Sequence, residues 1–148
     1  MPSETGKDVE TIYSDSAKMK VKISAPLFQH YIKEDKDTSY SLFRKGIHVI
    51  FYDDSFKVKT ELTARYAKKF DNINIMEARN DVVLVNRKGE KLNTERLTYD
   101  GTRRLIYTNA FVKITTKDEI IFGDGLESNA DFSKYKIIKP TGTISSDQ

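Results

Sequence analysis

The sequence predicts an all-β domain of the sandwich, roll or barrel type. Short runs rich in β-branched and aromatic residues recur along the 148-residue chain, most of them alternate apolar with polar side chains, and turn-like segments separate them. Alternation with a period of two is the pattern of a strand that buries one face. Several such strands at close spacing, with almost no helical periodicity, are typical of these folds. The length is that of one domain.

The first strands are predicted from clean alternation. Residues 18–24 place Met19, Val21 and Ile23 on one face and lysines on the other. Residues 46–52 alternate in the same way. The acidic segment that follows has the composition of a turn, so a hairpin is expected there.

The next segment allows two interpretations. Residues 57–66 alternate over ten positions, yet Leu62, Tyr66 and Phe70 are also spaced four apart, as on one face of a helix. We favour a strand because the alternation begins upstream at Val58 with β-branched residues and because no helix-capping residue precedes it.

Five short β-rich runs follow, and the chain also repeats itself. The runs are DVVLVN, RLIYTN, FVKITT, EIIFG and YKIIK. When the sequence is aligned with a shifted copy of itself, the shift that aligns Val83 with Val112 also aligns Val85 with Ile114. A unit of two or three strands cannot bury its apolar face alone, so the repeat predicts stacked hairpins.

The ends of the chain are polar. We expect a disordered lead-in over residues 1–15, a single packed domain over residues 16–144 and a tail over residues 145–148. The lead-in lacks the basic and apolar regions of a signal peptide.

Stacked hairpins leave a first and a last strand with unpaired backbone groups. Lysines at both predicted ends either prevent edge-to-edge aggregation or keep an edge soluble until a partner adds a strand. These lysines are Lys18, Lys20, Lys22, Lys134, Lys136 and Lys139.

Composition excludes several classes of protein. The absence of cysteine rules out disulfides, thiolate nucleophiles and cysteine-based zinc sites. No apolar run approaches the roughly 20 residues of a membrane-spanning helix. The 25 basic and 22 acidic residues leave a net charge of +3 that is scattered along the chain, so a nucleic-acid partner is not expected.

Catalytic arrangements are sparse. His30 and His48 lack the spacing of a metal site, and Asp53 and Asp54 lie in a predicted turn where Asp is favoured. We therefore expect no enzyme activity, no metal and no cofactor. The glycines at positions 123 and 125 predict a bulge or a close backbone approach.

Eight Tyr and eight Phe indicate an interior of large apolar side chains. Such an interior is either packed solid or leaves a lipophilic groove. The residues alone leave both open.

Five motifs carry a family resemblance. They are G-I-x-V-x-F-Y-D at 46–53, L-T-A-x-Y-A at 62–67, N-x-K-G-E-x-L-x-T-E-x-L at 86–97, F-V-K-I-T-T at 111–116 and F-G-x-G-L-E-S at 122–128. With these motifs the chain from Pro26 to Ile144 resembles the LptC-like proteins of lipopolysaccharide export, in the OstA/LptA superfamily, most closely sequences of the Bacteroidetes type. The resemblance implies an open antiparallel β-jellyroll, in which two facing sheets enclose an apolar groove.

The resemblance also implies a function. A non-enzymatic periplasmic carrier would hold the lipid A acyl chains of lipopolysaccharide in the groove and pass the lipid from an inner-membrane ABC transporter to LptA. LptA would pair with the C-terminal edge strand, Tyr135 to Ile144. The open edges would also allow an edge-to-edge homodimer. Because family members carry an N-terminal membrane helix or lipid anchor, we expect anchoring to the inner membrane by an N-terminal segment absent from this chain.

The expected groove residues share the inward phase that we assign to their strands. They are Val49, Phe51, Val58, Leu62, Met76, Val83, Val85, Leu105, Tyr107, Val112, Ile114 and Ile121. Near an open end, Arg65, Arg79 and Arg104 are expected to meet the phosphates of lipid A.

Two other functions compete with the carrier. A structural adaptor would assemble by edge-strand pairing and bind no lipid. A β-rich hydrolase would depend on Asp53, Asp54 or His48.

Overall fold

The computed structural model describes residues 1–14, 20–34 and 38–145. These residues form antiparallel strands and no α-helix, which confirms the predicted all-β class and the strand interpretation of residues 57–66. The strands are β1 (Glu4–Ser14), β2 (Lys20–Tyr31), β3 (Tyr40–Phe43), β4 (Ile47–Tyr52), β5 (Val58–Ala64), β6 (Tyr66–Phe70), β7 (Ile75–Asn86), β8 (Lys91–Asp100), β9 (Leu105–Thr108), β10 (Val112–Thr115), β11 (Glu119–Gly123), β12 (Leu126–Asn129), β13 (Tyr135–Ile137) and β14 (Pro140–Ser145).

The strands form two facing layers. The first layer has the order β1-β2-β3-β6-β7-β8-β9-β12-β13, and the second has the order β1-β2-β4-β5-β7-β8-β10-β11-β14. The four long strands β1, β2, β7 and β8 give one half to each layer: β2, β7 and β8 change partners halfway along their length, and β1 follows β2 from one layer to the other. The layers are therefore continuous along one side.

We call that continuous side the spine. Strand β7 bends there at a register shift between Arg79 and Val82. Asn80 and Asp81 at the bend have φ values of 67° and 54°, a conformation that Asn and Asp adopt more readily than most residues. The spine is formed by Asp8, Pro26, Gly46, Arg65, Asn80, Asp81, Glu95, Asn109, Gly125 and Ile138.

The opposite side, which we call the mouth, has no such crossings among the described residues. It lies between hairpins 53–57, 87–90 and 116–118 of the second layer and hairpins 71–74, 101–104 and 130–134 of the first. The predicted turn over residues 53–56 is one of these hairpins. Only at the mouth could the layers part without breaking the strands.

The core lies between the layers. Paired residues of an antiparallel sheet share a face, so the pairings define inward rows. One row of the second layer joins Leu62, Leu84, Leu92 and Ile114, each at most 4% exposed. A matching row of the first layer joins Met76, Tyr99 and Ile106.

The N-terminal segment corrects an expectation. Residues 4–14, expected to be a disordered lead-in, form β1, which pairs with β2 over nearly its whole length. Lys20 and Lys22 consequently do not lie on an edge strand, while Lys18 and Met19 lie outside the described residues. At the other end, Ser145 belongs to β14, so the expected tail begins one residue too early.

The inward phase is wrong for two predicted strands. Val83 and Val85 pair with the outward residues of β5 and β8, while Leu84 between them is fully buried. Likewise Leu105 and Tyr107 face outward on β9, with Ile106 buried. Both runs are apolar throughout, so alternation could not decide which face was buried.

The sequence repeat corresponds to a structural one, but its offset changes. Leu92 and Ile121 occupy equivalent inward positions, with the same separation in sequence as Val83 and Val112. Leu84 and Ile114 pair with Leu92 from its two sides. Their separation in sequence is one residue longer than the separation of Leu92 and Ile121. A uniform offset therefore equates outward Val85 with inward Ile114.

The prediction of a bulge or close approach at the two glycines is confirmed. The β11–β14 register shifts at Gly123, and a Cβ atom there would collide with the Ile137 side chain. At Gly125, φ is 154° and a Cβ atom would lie 2.8 Å from the Thr108 carbonyl oxygen.

The corrected phase can be tested by stability. Leu84→Ala should lower the free energy of unfolding by about 2–5 kcal/mol, because it leaves a cavity between the layers. Val83→Ala, on the outer face of the same strand, should cost less than about 1 kcal/mol. Urea denaturation measures both. Equal losses would contradict this assignment of faces.

Candidate functional site

The space between the layers is open at its N-terminal end. A cavity of about 410 Å³ lies there. Strand β1 forms one wall with alternate side chains, and β2, β3 and β6 form the others. The lining residues are Val9, Thr11, Tyr13, Ile23, Phe28, Ser41, Phe43 and Lys69.

The cavity is apolar because of how these strands meet. Tyr13 pairs with Val21 and Thr11 with Ile23, so the inward face of β1 continues the inward row of β2. The rings of Phe28 and Phe43 contact each other, with centroids 5.8 Å apart. The result is a wall of aromatic and aliphatic carbon.

Lys69 is the one charged side chain among the lining residues. Its Nζ atom lies 5.8 Å from the centroid of the Tyr13 ring, across the space between the layers. Lysine can lay its methylene stem on an apolar wall while its ammonium stays near water. The cavity therefore suits an amphiphile with an apolar tail and an anionic head.

At the edge of this cavity, the His30 side chain contacts carboxylates from two other segments. Its Nε2 atom lies 2.7 Å from the Asp71 carboxylate, and its Nδ1 atom lies 3.4 Å from the Glu4 carboxylate. The contacts link β2 to β1 and to the hairpin after β6. The hydrogen bond with Asp71, followed by the contact with Glu4, raises the pKa of His30 above 6.5, although burial opposes the shift.

The middle of the interior is filled by its own side chains. The rings of Phe51 and Tyr99, from opposite layers, pack with centroids 5.6 Å apart. The cavity left among Phe51, Leu62, Met76, Ala78, Leu84, Leu97, Tyr99 and Ile106 is about 10 Å³, at the lower limit for one water molecule. The continuous groove implied by the family resemblance is therefore absent from the described residues.

The C-terminal end is closed by residues 130–134, which we call the clasp. This hairpin of the first layer reaches across the mouth to the second layer. Phe132 is fully buried, and Asn86 Nδ2 donates a hydrogen bond to its carbonyl oxygen at 2.8 Å.

The predicted groove residues divide into two groups. Six are buried between the layers, and Ile121 is partly buried against the same core; the buried six are Val49, Phe51, Leu62, Met76, Val112 and Ile114. The other five are not: Val58 is 43% exposed beside a bulge, and Val83, Val85, Leu105 and Tyr107 face outward. A lipid-binding role for the inward group stays a prediction.

The three predicted arginines are not brought together. Arg65 lies on the spine, 3.6 Å from Asp81. Arg79 lies on the outer face of the first layer, directly opposite Arg96. Arg104 alone lies in a hairpin at the mouth.

Sequence reasoning missed most of the cavity. Val9, Thr11 and Tyr13 belong to the segment expected to be disordered, although their alternate spacing was a usable signal. Nothing marked Lys69 among the 25 basic residues.

The residues considered for hydrolysis have structural contacts. The Asp53 carboxylate accepts hydrogen bonds from the backbone of Ser55 and Lys57, and an Arg87 nitrogen lies 2.7 Å away. The Lys57 backbone and Arg87 lower the Asp53 pKa. His48 pairs with Glu61 on the exposed outer face. The described residues hold no cluster of His, Asp and Glu suited to a metal ion.

Two facing antiparallel layers, joined along a spine, define the fold as an open β-jellyroll. It is similar to the crystal structure of LptH, described as the LptA homologous periplasmic component of the conserved lipopolysaccharide transport device from Pseudomonas aeruginosa. The TM-score is 0.56 at 11% sequence identity, over 82% of this chain and 84% of that one. Similarity at this level shows the fold alone.

The family is established by sequence. The model of the LptC-related lipopolysaccharide-assembly family matches residues 4–144, so the chain belongs to that family. The match confirms the resemblance read from the five motifs and extends it to β1. Comparison with curated protein sequences returned no match. In the part of the chain that is described, no helix is long and apolar enough to cross a membrane.

The His30 contacts predict a pH dependence. A raised histidine pKa means that the contacts stabilise the fold below pH 6.5 and are lost as the pH rises through the folded value. Asp71→Asn should lower the His30 pKa, followed by NMR titration of the imidazole, and Glu4→Gln should lower it less. A larger effect of Glu4→Gln would contradict the order of these contacts.

Proposed function

We propose that this protein is a periplasmic carrier that binds lipopolysaccharide between its two layers and relays it from an inner-membrane ABC transporter to an LptA-type protein. The acyl chains of lipid A enter from the mouth, and the saccharide and its phosphates remain outside. No bond is made or broken in the lipid.

The apolar cavity beside β1 is the observation that carries this proposal. Its volume, about 410 Å³, falls within the roughly 300–1,000 Å³ of small-molecule sites. Its lining is carbon except for Thr11, Tyr13, Ser41 and the ammonium of Lys69. An acyl chain against the aromatic wall, with a phosphate near Lys69, matches this distribution of charge.

The whole lipid needs more room than this cavity offers. We infer that the cavity takes the first chain and that the layers part at the mouth to admit the others. The Phe51 and Tyr99 rings pack against each other between the layers, with centroids 5.6 Å apart, and acyl carbon can replace the contact that each ring loses.

One observation favours a second function. The filled middle, with about 10 Å³ of free space, suits a structural adaptor that passes no lipid and assembles through its edges. The free edges are β1 at one end and β13 and β14 at the other. All six residues of β14 are exposed.

Photo-crosslinking separates the carrier from the adaptor. A benzoylphenylalanine at Tyr13, in the cavity, should label purified lipopolysaccharide, whereas the same group at Tyr107, on the outer face, should not. Lys69→Glu should reduce labelling at Tyr13, because a carboxylate repels the phosphates, while Lys113→Glu on an exposed outward position should not.

Absence of labelling at Tyr13 in a folded protein would refute the carrier and leave the adaptor. Equal labelling at Tyr107 would show that the lipid coats the surface.

The polarity of the relay predicts which edge meets which partner. A crosslinker at Thr141 in β14 should capture an LptA-type protein, because a strand added to this edge continues the second layer. The same group at Thr5 in β1 should capture the periplasmic part of the transporter. Both threonines are exposed, so each controls for the other. Capture of the LptA-type protein at Thr5 would reverse the proposed order, and capture of a second copy at either would indicate a homodimer.

A further inference from the structure

The clasp is a short polar hairpin built around one aromatic residue. Its sequence is Ala-Asp-Phe-Ser-Lys, and Phe132 is its one large side chain in the interior, beside the small buried Ala130. The Phe132 ring is fully buried and packs on the Tyr135 ring, with centroids 4.8 Å apart. Phe132 therefore fills the C-terminal end of the space between the layers.

Polar side chains of the second layer hold the clasp across the mouth. Thr60 donates a hydrogen bond to the Asp131 carbonyl oxygen, and Lys59 Nζ lies 3.1 Å from the Asp131 carboxylate. Beside the clasp, the Tyr135 hydroxyl donates to Glu90 at 2.9 Å. None of these contacts is strand pairing, so their loss leaves both layers intact.

The other first-layer hairpins differ from the clasp. Asp71 pairs with His30 and Arg103 with Asp100, so both ion pairs stay within the first layer. A hairpin at the mouth therefore does not have to contact the opposite layer, as the clasp does.

The backbone of the clasp is strained. Phe132 has a φ of 58°, in the left-handed region that large side chains rarely adopt. Such conformations persist where surrounding contacts enforce them, and they cluster at segments that switch. Here the polar contacts to the second layer and the burial of the ring act together with a hydrogen bond inside the hairpin, which the Phe132 backbone N–H donates to the Asn129 carbonyl oxygen.

We propose that Phe132 occupies an acyl-chain position, and that withdrawal of residues 130–134 from the second layer opens this position to a chain of the bound lipid. This inference rests on the proposed carrier function. The occupant is hydrocarbon because the position is filled by a fully buried phenyl ring that packs on the Tyr135 ring. The position lies toward β13 and β14, so opening it extends the lipid path to that edge.

At neutral pH, the ionisation states of Asp131 and Tyr135 keep the contacts of the clasp intact. Burial opposes ionisation of Asp131, but hydrogen bonds from Ser133 and Lys59 outweigh it and hold its pKa below 3.8. Burial and the bond to Glu90 raise the pKa of Tyr135 to about 12. Both groups therefore keep their bonding forms near pH 7, and the bound lipid must displace the ring.

The test uses the absence of native cysteine. Phe132→Cys places a thiol in the clasp, and a maleimide reports how often it is exposed. Saturating lipopolysaccharide should raise its labelling rate at least about tenfold. Val82→Cys, equally buried but beside the bend of β7 at the spine, where the layers do not part, should show no increase. If Phe132→Cys does not fold, Ala130→Cys, a smaller change in the same segment, replaces it.

A benzoylphenylalanine at Tyr135 tests whether a chain enters. Labelling of lipopolysaccharide at both Tyr13 and Tyr135, with a faster thiol reaction, supports the proposal. Labelling at Tyr13 without labelling at Tyr135 overturns it, whether or not the thiol rate rises, and leaves the carrier function standing. Labelling at neither position refutes the carrier function and this inference with it.

Discussion

The structure depends on the burial of two apolar faces that belong to one continuous folded sheet. Strands β1, β2, β7 and β8 run from layer to layer, so the layers cannot separate along the spine without breaking backbone hydrogen bonds. At the mouth, the layers are joined by side-chain contacts and not by strand pairing. A guest that parts the layers must therefore do so at the mouth, and it must supply the apolar contact that the side chains lose.

The free energy lost when an aromatic ring is exposed is similar to the free energy gained when a few methylene groups of the guest are buried. Burying a Phe side chain stabilises a protein by about 1.5–3 kcal/mol, and burying a methylene group by about 0.8 kcal/mol. A few methylene groups thus offset the exposure of one ring. A wide, permanently open groove would hold several acyl chains too tightly for release, whereas one that refills with Phe51, Tyr99 and Phe132 returns part of that free energy as the lipid leaves.

Much of this could be predicted from the sequence, and the failures have physical causes. Leu62 and Ile114 were placed correctly because polar residues on both sides fix the phase of their strands. Val83 and Leu105 lie in runs that are apolar on both faces, where only the pairing partners decide. Strand β1 was missed because an edge strand is mostly exposed and carries a polar composition. The clasp depends on hydrogen bonds from Thr60 and Asn86, which are distant from it in sequence. No local sequence pattern predicts such contacts.

The proposed carrier function requires the layers to part at the mouth and admit lipid. The most direct measurement is a distance by pulsed electron resonance between spin labels at Ser55 and Asn72, exposed residues of mouth hairpins on opposite layers. A second label pair across the spine, at Lys45 and Asp81, serves as the reference. If the layers part at the mouth, saturating lipopolysaccharide lengthens the Ser55–Asn72 distance and leaves the Lys45–Asp81 distance unchanged. Bound lipopolysaccharide with an unchanged Ser55–Asn72 distance would contradict this requirement.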